Sequence, residues 1–339
     1  MKKKNPVLDF LRNPLAQIII FTVIVAVLQL LAMAGVIQAS FVQAVGNTMI
    51  YAVIAIGFCL LLGYSGLASL GTGGFIGIGA YVAFYFIQEF DLPYIVAFLV
   101  AVAVSIVIGV VVGFISLRIE GIYLAILTLG ISEVIRNLLM VIESTVRIDV
   151  DHIRLFGQKI GDEGAYFLIL FTFAILMWLL SNLINSPTGR AMLAMKNSTS
   201  AAQAMGISLM KFRLMAFVIS IIFAGIGGVL YMMYIRTITT STSTLLTLTT
   251  SLNILGAVII GGSKSLWGTT FGVFIIYGLQ AMFLSKIPFF VENPAFIILV
   301  TGILIILVVM FFPGGFAQIA GQAVAWVRKK RAQSGKGAA

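Results

Sequence analysis

Charge is what this sequence has least of. Asp, Glu, Lys and Arg make up 9% of the 339 residues, where a water-soluble domain carries roughly a quarter, so a soluble globular chain is excluded. Cysteine and histidine are scarcer still, with Cys59 and His152 the single example of each. That rules out a disulfide framework within the chain and any Cys/His metal cluster, both of which need several such residues. Cys59 lies inside an apolar run and reads as a small buried hydrophobe. Acidic residues number 11 against 21 basic ones, a net charge of +10. A surplus of this size would suit nucleic acid if it were gathered on a soluble face. Here the basic residues flank apolar runs, where they orient a chain against a membrane, so nucleic acid is not an expected partner. Gly256 to Ser265 superficially resembles a phosphate-binding loop, but Lys264 does not directly follow the second glycine and no soluble strand and helix frame it. Gly71, Gly73, Gly74, Gly77 and Gly79 fall inside an apolar run, which makes a dinucleotide fingerprint equally implausible. No nucleophile set, carboxylate pair or metal motif remains, so no catalytic residue, metal or cofactor of the chain's own is expected.

What is there is apolar: 61% of the residues are hydrophobic and the mean hydropathy is +1.14. The pattern predicts an all-α, polytopic transmembrane bundle with its membrane domain over 15–312, between an N-terminal tail (1–14) and a C-terminal tail (313–339). Spans are expected near 15–37, 41–62, 70–88, 92–117, 121–142, 165–184, 214–235 and 294–312. A glycine-broken pair near 252–262 and 267–284 brings the total to about ten if the shorter piece crosses. Ala32, Met33 and Ala34 imitate a signal-peptidase site, but the apolar run is long and other spans follow, so a retained first helix is expected. Gly63 to Gly66 reads as a tight turn, 143–163 as a polar external loop, and Thr237 to Ser251 as an external loop that dips inward. With ten spans, Lys2 to Lys4, Arg12, Arg118, Arg190, Lys196, Lys211, Arg213, Lys264 and the five basic residues of 328–336 share one side, fifteen of 21. That asymmetry places both termini and the 185–213 loop in the cytoplasm.

The 185–213 loop is the longest polar interruption on that side. Ser186 followed by Pro187 is a helix cap and the residue best suited to a first helical position. Asn197, Ser198 and Thr199 supply a second cap cluster, and Gly206 stands where a left-handed closing residue is wanted. Two short helices outside the bilayer follow, carrying Arg190, Lys196, Lys211 and Arg213. A loop touching lipid headgroups and a docking element are both open on these grounds.

Within the apolar runs, Glu133 and Arg136 stand three apart and share a helix face, so they can neutralise each other. Charges at that depth ordinarily face the bundle interior or a cavity. The pair reads equally as a contact beside a translocation path and as a self-satisfied structural pair. Asn47, Asn253 and Gln280 are lone amides that read first as interhelical hydrogen-bond partners. A shift of 196 residues matches Gly66 with Gly262, Ser69 with Ser265 and Tyr81 with Tyr277, which suggests two glycine-broken segments facing a common centre. Asn47, Ser69, Gly71, Glu133, Arg136 and Asn253 are therefore the candidate lining of a path.

Four stretches also carry a resemblance. Gly63 to Ala83 (GYSGLASLGTGGFIGIGAYVA), Arg118 to Arg136 (RIEGIYLAILTLGISEVIR), the 186–213 loop running into Leu214 to Tyr231, and Gly256 to Gly272 (GAVIIGGSKSLWGTTFG) resemble the branched-chain amino-acid ABC transporter permease family. The likeness is closer to its longer permease and runs in order from about Tyr51 to Leu279. Thr72 departs from it, standing where that longer permease often has histidine. The resemblance implies a multi-pass subunit of a bacterial plasma membrane importer for Leu, Ile and Val. It would pair with a second related permease, two cytoplasmic ATPase subunits that bind the ATP and magnesium, and an external solute-binding protein. It further implies that Pro187, Gly189, Arg190, Ala201, Ala202 and Gly206 belong to the element that docks on the ATPase. Related permeases serve urea, short amides or nucleosides, and an ion-coupled carrier is the rival class. Such a carrier needs intramembrane charges, which only Glu133 and Arg136 offer.

Overall fold

The computed structural model describes residues 14–119, 121–149, 153–155, 158–240, 243–293, 295–311, 314–316 and 318. Glu120, His152, Pro294, the basic N-terminal tail and the basic 328–336 cluster, all used in the reading above, lie outside them. The chain is mostly helical. Helices α1 (Pro14–Met33), α2 (Ala39–Cys59), α3 (Thr72–Phe84), α4 (Tyr94–Ser116) and α5 (Ile122–Ile142) come first. Then follow α6 (Asp162–Asn185), α7 (Pro187–Asn197), α8 (Thr199–Ala204) and α9 (Leu209–Ile235). The last group is α10 (Leu248–Gly261), α11 (Leu266–Val273), α12 (Leu279–Met282), α13 (Pro288–Glu292) and α14 (Ala295–Phe311). The helices α1, α2, α4, α5, α6 and α9 are long and apolar enough to cross a membrane, since even 20 residues at 1.5 Å each reach the roughly 30 Å of a hydrocarbon core. Shorter apolar helices run over Leu248–Gly261, Leu266–Met282 and Phe296–Val308. This is the architecture of a polytopic membrane bundle. Among the described residues its departures from all-α are β1 (Thr145–Arg147) paired with β4 (Thr237–Thr239), and β2 (Arg154–Leu155) paired with β3 (Gln158–Lys159), both antiparallel.

Two boundaries differ from expectation for local reasons. The turn expected at Gly63 to Gly66 is instead helical: α2 continues as a π-helical turn, Leu60–Ser65, in which the Ser65 hydroxyl bonds back to the Leu61 carbonyl. The chain leaves the helix only at Gly66 (φ 75°), a left-handed conformation that glycine adopts without penalty. The loop expected over Thr237 to Ser251 is shorter, because a 3-10 turn at Thr244–Leu246 leads into α10 at Leu248. Ser251 sits comfortably in that helix because its hydroxyl is engaged outside it, accepting the Gly73 N–H of α3 at 3.1 Å.

The core is organised by α9, which is packed between α2 and α3. Gly57 faces the Phe223 side chain and Gly227 faces Ile54 on one side, while Gly79 lies against the Gly225 main chain and Gly228 against the Ile76 carbonyl on the other. Any β-carbon at Gly79 or Gly228 would collide with facing backbone, so these glycines set the helix separation. Gly109 and Gly113 of α4 likewise face Val218, Leu214 and Phe217 of α9, the close packing their four-residue spacing predicts. The α10–α11 pair forms its own tight hairpin, Gly261 on Gly268 and Gly272 on Ala257.

Candidate functional site

The segment between α6 and α9 folds as its caps predict. The Ser186 hydroxyl accepts the Gly189 N–H at 3.4 Å, Pro187 takes the first helical position of α7, and the Ser198 hydroxyl accepts the Ala201 N–H at 3.3 Å to start α8. Gly206 closes the element at φ 76°. The sequence-nominated residues divide by exposure. Gly189 is buried with the Ile184 main chain against it, and Ala202 is 2% exposed. These two hold the element in place. Pro187, Arg190, Ala201 and Gly206 are exposed, with the Arg190 guanidinium reaching back to the Asn185 carbonyl at 3.4 Å. Beside Gly206, Met205 is 80% exposed. On its inner face α7 buries Met192 and Met195, which fix it against the bundle.

That inner face also carries Lys196, whose Nζ donates to the carbonyls of Leu62 and Gly63 at 3.0 and 2.9 Å, in the final turn of α2. Burial, then the neighbouring Lys264 ammonium, lower the Lys196 pKa below the ordinary lysine value, with Cys59 opposing them. The loop joining α10 to α11 meets the same turn. The Ser263 carbonyl sits on Gly63 and accepts from Cys59 Sγ at 3.2 Å, and the Tyr64 hydroxyl donates to the Lys264 carbonyl at 3.0 Å.

Further along α2, a cavity of about 360 Å³ opens between α2, α10, α12 and α14. Asn47, Asn253 and Gln280 all line it, together with Thr48, Thr250 and Thr301. The three amides expected to act singly between helices are thus brought together, and Asn47 Oδ1 is buried without a hydrogen-bond partner. The cavity wall includes Tyr51 of α2 and Tyr277, just beyond α11, whose rings stack with centroids 3.9 Å apart.

The other path candidates, Ser69, Gly71, Glu133 and Arg136, lie outside this cavity. Ser69 is 4% exposed, and its hydroxyl accepts the Gly71 N–H at 3.3 Å at the start of α3. The neighbouring N–H groups of Leu70 and Gly74 go to the Thr128 and Ser132 hydroxyls of α5 at 3.1 and 2.8 Å. Hydroxyls from other elements therefore satisfy donors that a helix start leaves open. Glu133 and Arg136 do pair, as their spacing predicts, and Asn137 Nδ2 donates to the Glu133 carbonyl at 2.8 Å. The pair does not face the interior: Glu133 and Asn137 are exposed on the outward side of α5, because the opposite side of that helix is committed to α3 through Thr128, Ser132 and Leu139. The residues matched by the 196-residue shift share some local features and differ in others. Gly66 and Gly262 both have positive φ (75° and 101°), and Ser69 and Ser265 each accept an N–H at the start of the following helix.

A family model described as branched-chain amino acid transport system / permease component matches residues 40–309, from the start of α2 into α14. The chain belongs to this family. Among curated proteins it is similar to the high-affinity branched-chain amino acid transport system permease protein LivM of Escherichia coli (strain K12), at 28% identity over 54% of this chain and 50% of that protein. It is 29% identical to the protein of the same name from Salmonella typhimurium, with the same coverage. The chain thus matches about half the length of these curated relatives. No solved structure matches it. As a branched-chain amino acid permease family member the chain is a multi-pass membrane transport subunit of an ABC system, and the α7–α8 element, the Lys196 contacts and the amide cavity all fall inside the matched region. Sequence reasoning did not single out Met205 or the stacked tyrosines, and it named Lys196 without its contacts. A methionine beside a closing glycine, a lysine in a basic loop and two tyrosines 226 positions apart carry no local mark of what they will touch. Among the described residues, no group of three His, Cys, Asp or Glu side chains gathers as a metal site.

Proposed function

We propose that this chain is the transmembrane permease subunit of an ATP-driven importer of branched-chain amino acids in a bacterial plasma membrane. It spans the bilayer about ten times, with both termini and α7–α8 in the cytoplasm. The observation that carries this reading is the α7–α8 element, a doubly capped pair of short helices fixed by buried Met192, Met195 and Ala202 while presenting Arg190, Ala201 and Met205 outward. An exposed methionine and an exposed arginine carried on one element suit a protein partner, and a rigid helix between two spans can pass domain closure on to the bundle. Two separate ATPase subunits dock there and hold the ATP and magnesium. The outward Glu133, Arg136 and Asn137 stripe faces a second permease and lines the passage between the two, since a charge facing hydrocarbon at a helix centre costs about 2.5–3.5 kcal/mol. An external solute-binding protein delivers the cargo and does most of the choosing, because a pocket reading side-chain size alone discriminates by only about 1–3 kcal/mol.

The cavity favours one variation. Its carboxamides and hydroxyls, with no charged side chain, suit urea or a short amide as well as a zwitterion. An ion-coupled carrier is less well supported, because its one candidate charge pair lies on an outward face.

The test is Arg190→Glu combined with Met205→Glu. The expected result is normal membrane insertion with loss of ATPase co-purification; recovery of the ATPases at the wild-type level would refute the docking assignment. Gly189 is left intact in this design because any side chain there would meet the Ile184 backbone. Uptake by the reconstituted complex, with leucine and urea competing, reads the cargo class.

A further inference from the structure

We infer that Lys196 is the positioning residue that transmits movement of α7 into the two helix breaks of the bundle, an assignment that rests on the reading of α7–α8 as the ATPase-docking element. Its ammonium holds the Leu62 and Gly63 carbonyls at 3.0 and 2.9 Å. Carbonyls in a final helical turn lack helical N–H partners and form the negative end of the helix dipole, so a cation is the fitting ligand for them. The aliphatic stem lies across Gly66, where a β-carbon would come within 3.2 Å of Lys196 Cγ. Stem and head together therefore clasp the point where α2 ends. Arg190, on the same helix, turns instead to its own root at the Asn185 carbonyl.

The clasped turn is in turn locked to the α10–α11 loop. Gly63 has no side chain, so the Ser263 carbonyl rests directly on it; Cys59 Sγ donates to that carbonyl and the Tyr64 hydroxyl to the next along the chain, that of Lys264. Segments from three distant parts of the sequence thus meet at one junction. From it α2 and α11 run side by side to the amide cavity, where Tyr51 and Tyr277 stack at 3.9 Å. A displacement of α7 pulls through Lys196 on α2, and through Ser263 on α11, and so reaches the cavity along both. Packed elements of this kind pass on a displacement between discrete arrangements and do not absorb it.

The experiment uses the assembled complex with its ATPases. Lys196→Met keeps the stem and removes the charge. The complex is expected to assemble and to recruit the ATPases, while leucine uptake per ATP hydrolysed falls about tenfold or more, the scale of a lost charged hydrogen bond. Lys196→Arg, which can still reach both carbonyls, is expected to restore most of the uptake. Cys59, the chain's single cysteine, supplies a readout that a merely structural lysine would not move. Its alkylation by N-ethylmaleimide, followed on the Cys59 peptide by mass spectrometry, is expected to change in rate when ATP and vanadate are added to the wild-type complex. The same addition is expected to leave the rate unchanged in Lys196→Met. Full coupling in Lys196→Met, or a persisting ATP response at Cys59 in that variant, would overturn the assignment. Should Lys196→Met fail to assemble, an absent ATP response at Cys59 in the wild-type complex overturns it equally. Failure of the wild-type chain to recruit ATPases is a different result and counts against the docking reading.

Discussion

Helices α2 and α5 are both apolar enough to span a membrane, yet 89% of the apolar stretch of α2 is buried within the chain and only 17% of that of α5. The exposed helix is the one that carries a Glu, an Arg and an Asn in succession along its outward face. Neighbouring α4 also looks outward, with Leu99, Val107, Val111 and Phe114, and those residues are at home in lipid. The difference teaches that outward faces in this bundle are of two kinds: α4 has the surface of a lipid-facing helix, and α5 that of a helix awaiting cover. Burial in α2 answers a different demand, since Gly46 and Gly57 admit the side chains of Tyr234 and Phe223, Gly63 admits the Ser263 carbonyl, and its final turn receives Lys196.

The sharpest way to break the comparison is to place equal substitutions on the two kinds of surface. Gly79→Val puts a branched side chain into the Gly225 backbone and is expected to cost about 3 kcal/mol or more, enough to lose the monodisperse peak in fluorescence-detected size-exclusion chromatography. Next in size is Glu133→Leu alone, which leaves Arg136 without its partner and is expected to lower stability by about 2–3 kcal/mol in a melting assay in nanodiscs. Pairing it with Arg136→Leu separates lipid from protein cover. The double variant is expected to fold well but to lose co-purification of the second permease and most uptake, whereas unchanged pairing and uptake would assign this face to lipid. Tyr51→Leu removes the stack on Tyr277, expected to cost about 1 kcal/mol, and adding Tyr277→Leu should cost less than the sum of the single changes. Ser186→Ala removes the α7 cap for about 1 kcal/mol, seen as faster amide exchange in α7 with the spans unaffected. Smallest of all, Gly130→Ala on the open face of α5 meets nothing within 4 Å and is expected to raise stability by roughly 0.5 kcal/mol.

The α7–α8 element was legible in advance because a cap acts within one turn: Ser186, Pro187, Ser198 and Gly206 each carry their instruction in residue type and immediate neighbours. The same holds for the Glu133–Arg136 pair, whose partners are a single turn apart. What could not be read was direction. The spacing put both charges on one face without saying that the face looks outward, because that depends on Thr128 and Ser132 being taken by the start of α3. The amides Asn47, Asn253 and Gln280 looked solitary because the helices that bring them to one cavity are far apart in the chain. Lys196 reaches carbonyls 133 and 134 residues away, and in the sequence it was one basic residue among several.

By itself the sequence determined that the chain lives in a membrane, roughly which stretches form its long helices, and how the α7–α8 element is capped, because hydrocarbon and helix ends make their demands on each segment separately. The tertiary structure alone decided which face of each helix turns outward, which amides meet, and that Lys196 joins α7 to α2 and the α10–α11 loop. Those outcomes depend on how far each helix is rotated about its axis, and that rotation is fixed by close contacts at Gly57, Gly79, Gly227 and Gly228 with side chains and backbone distant in the chain.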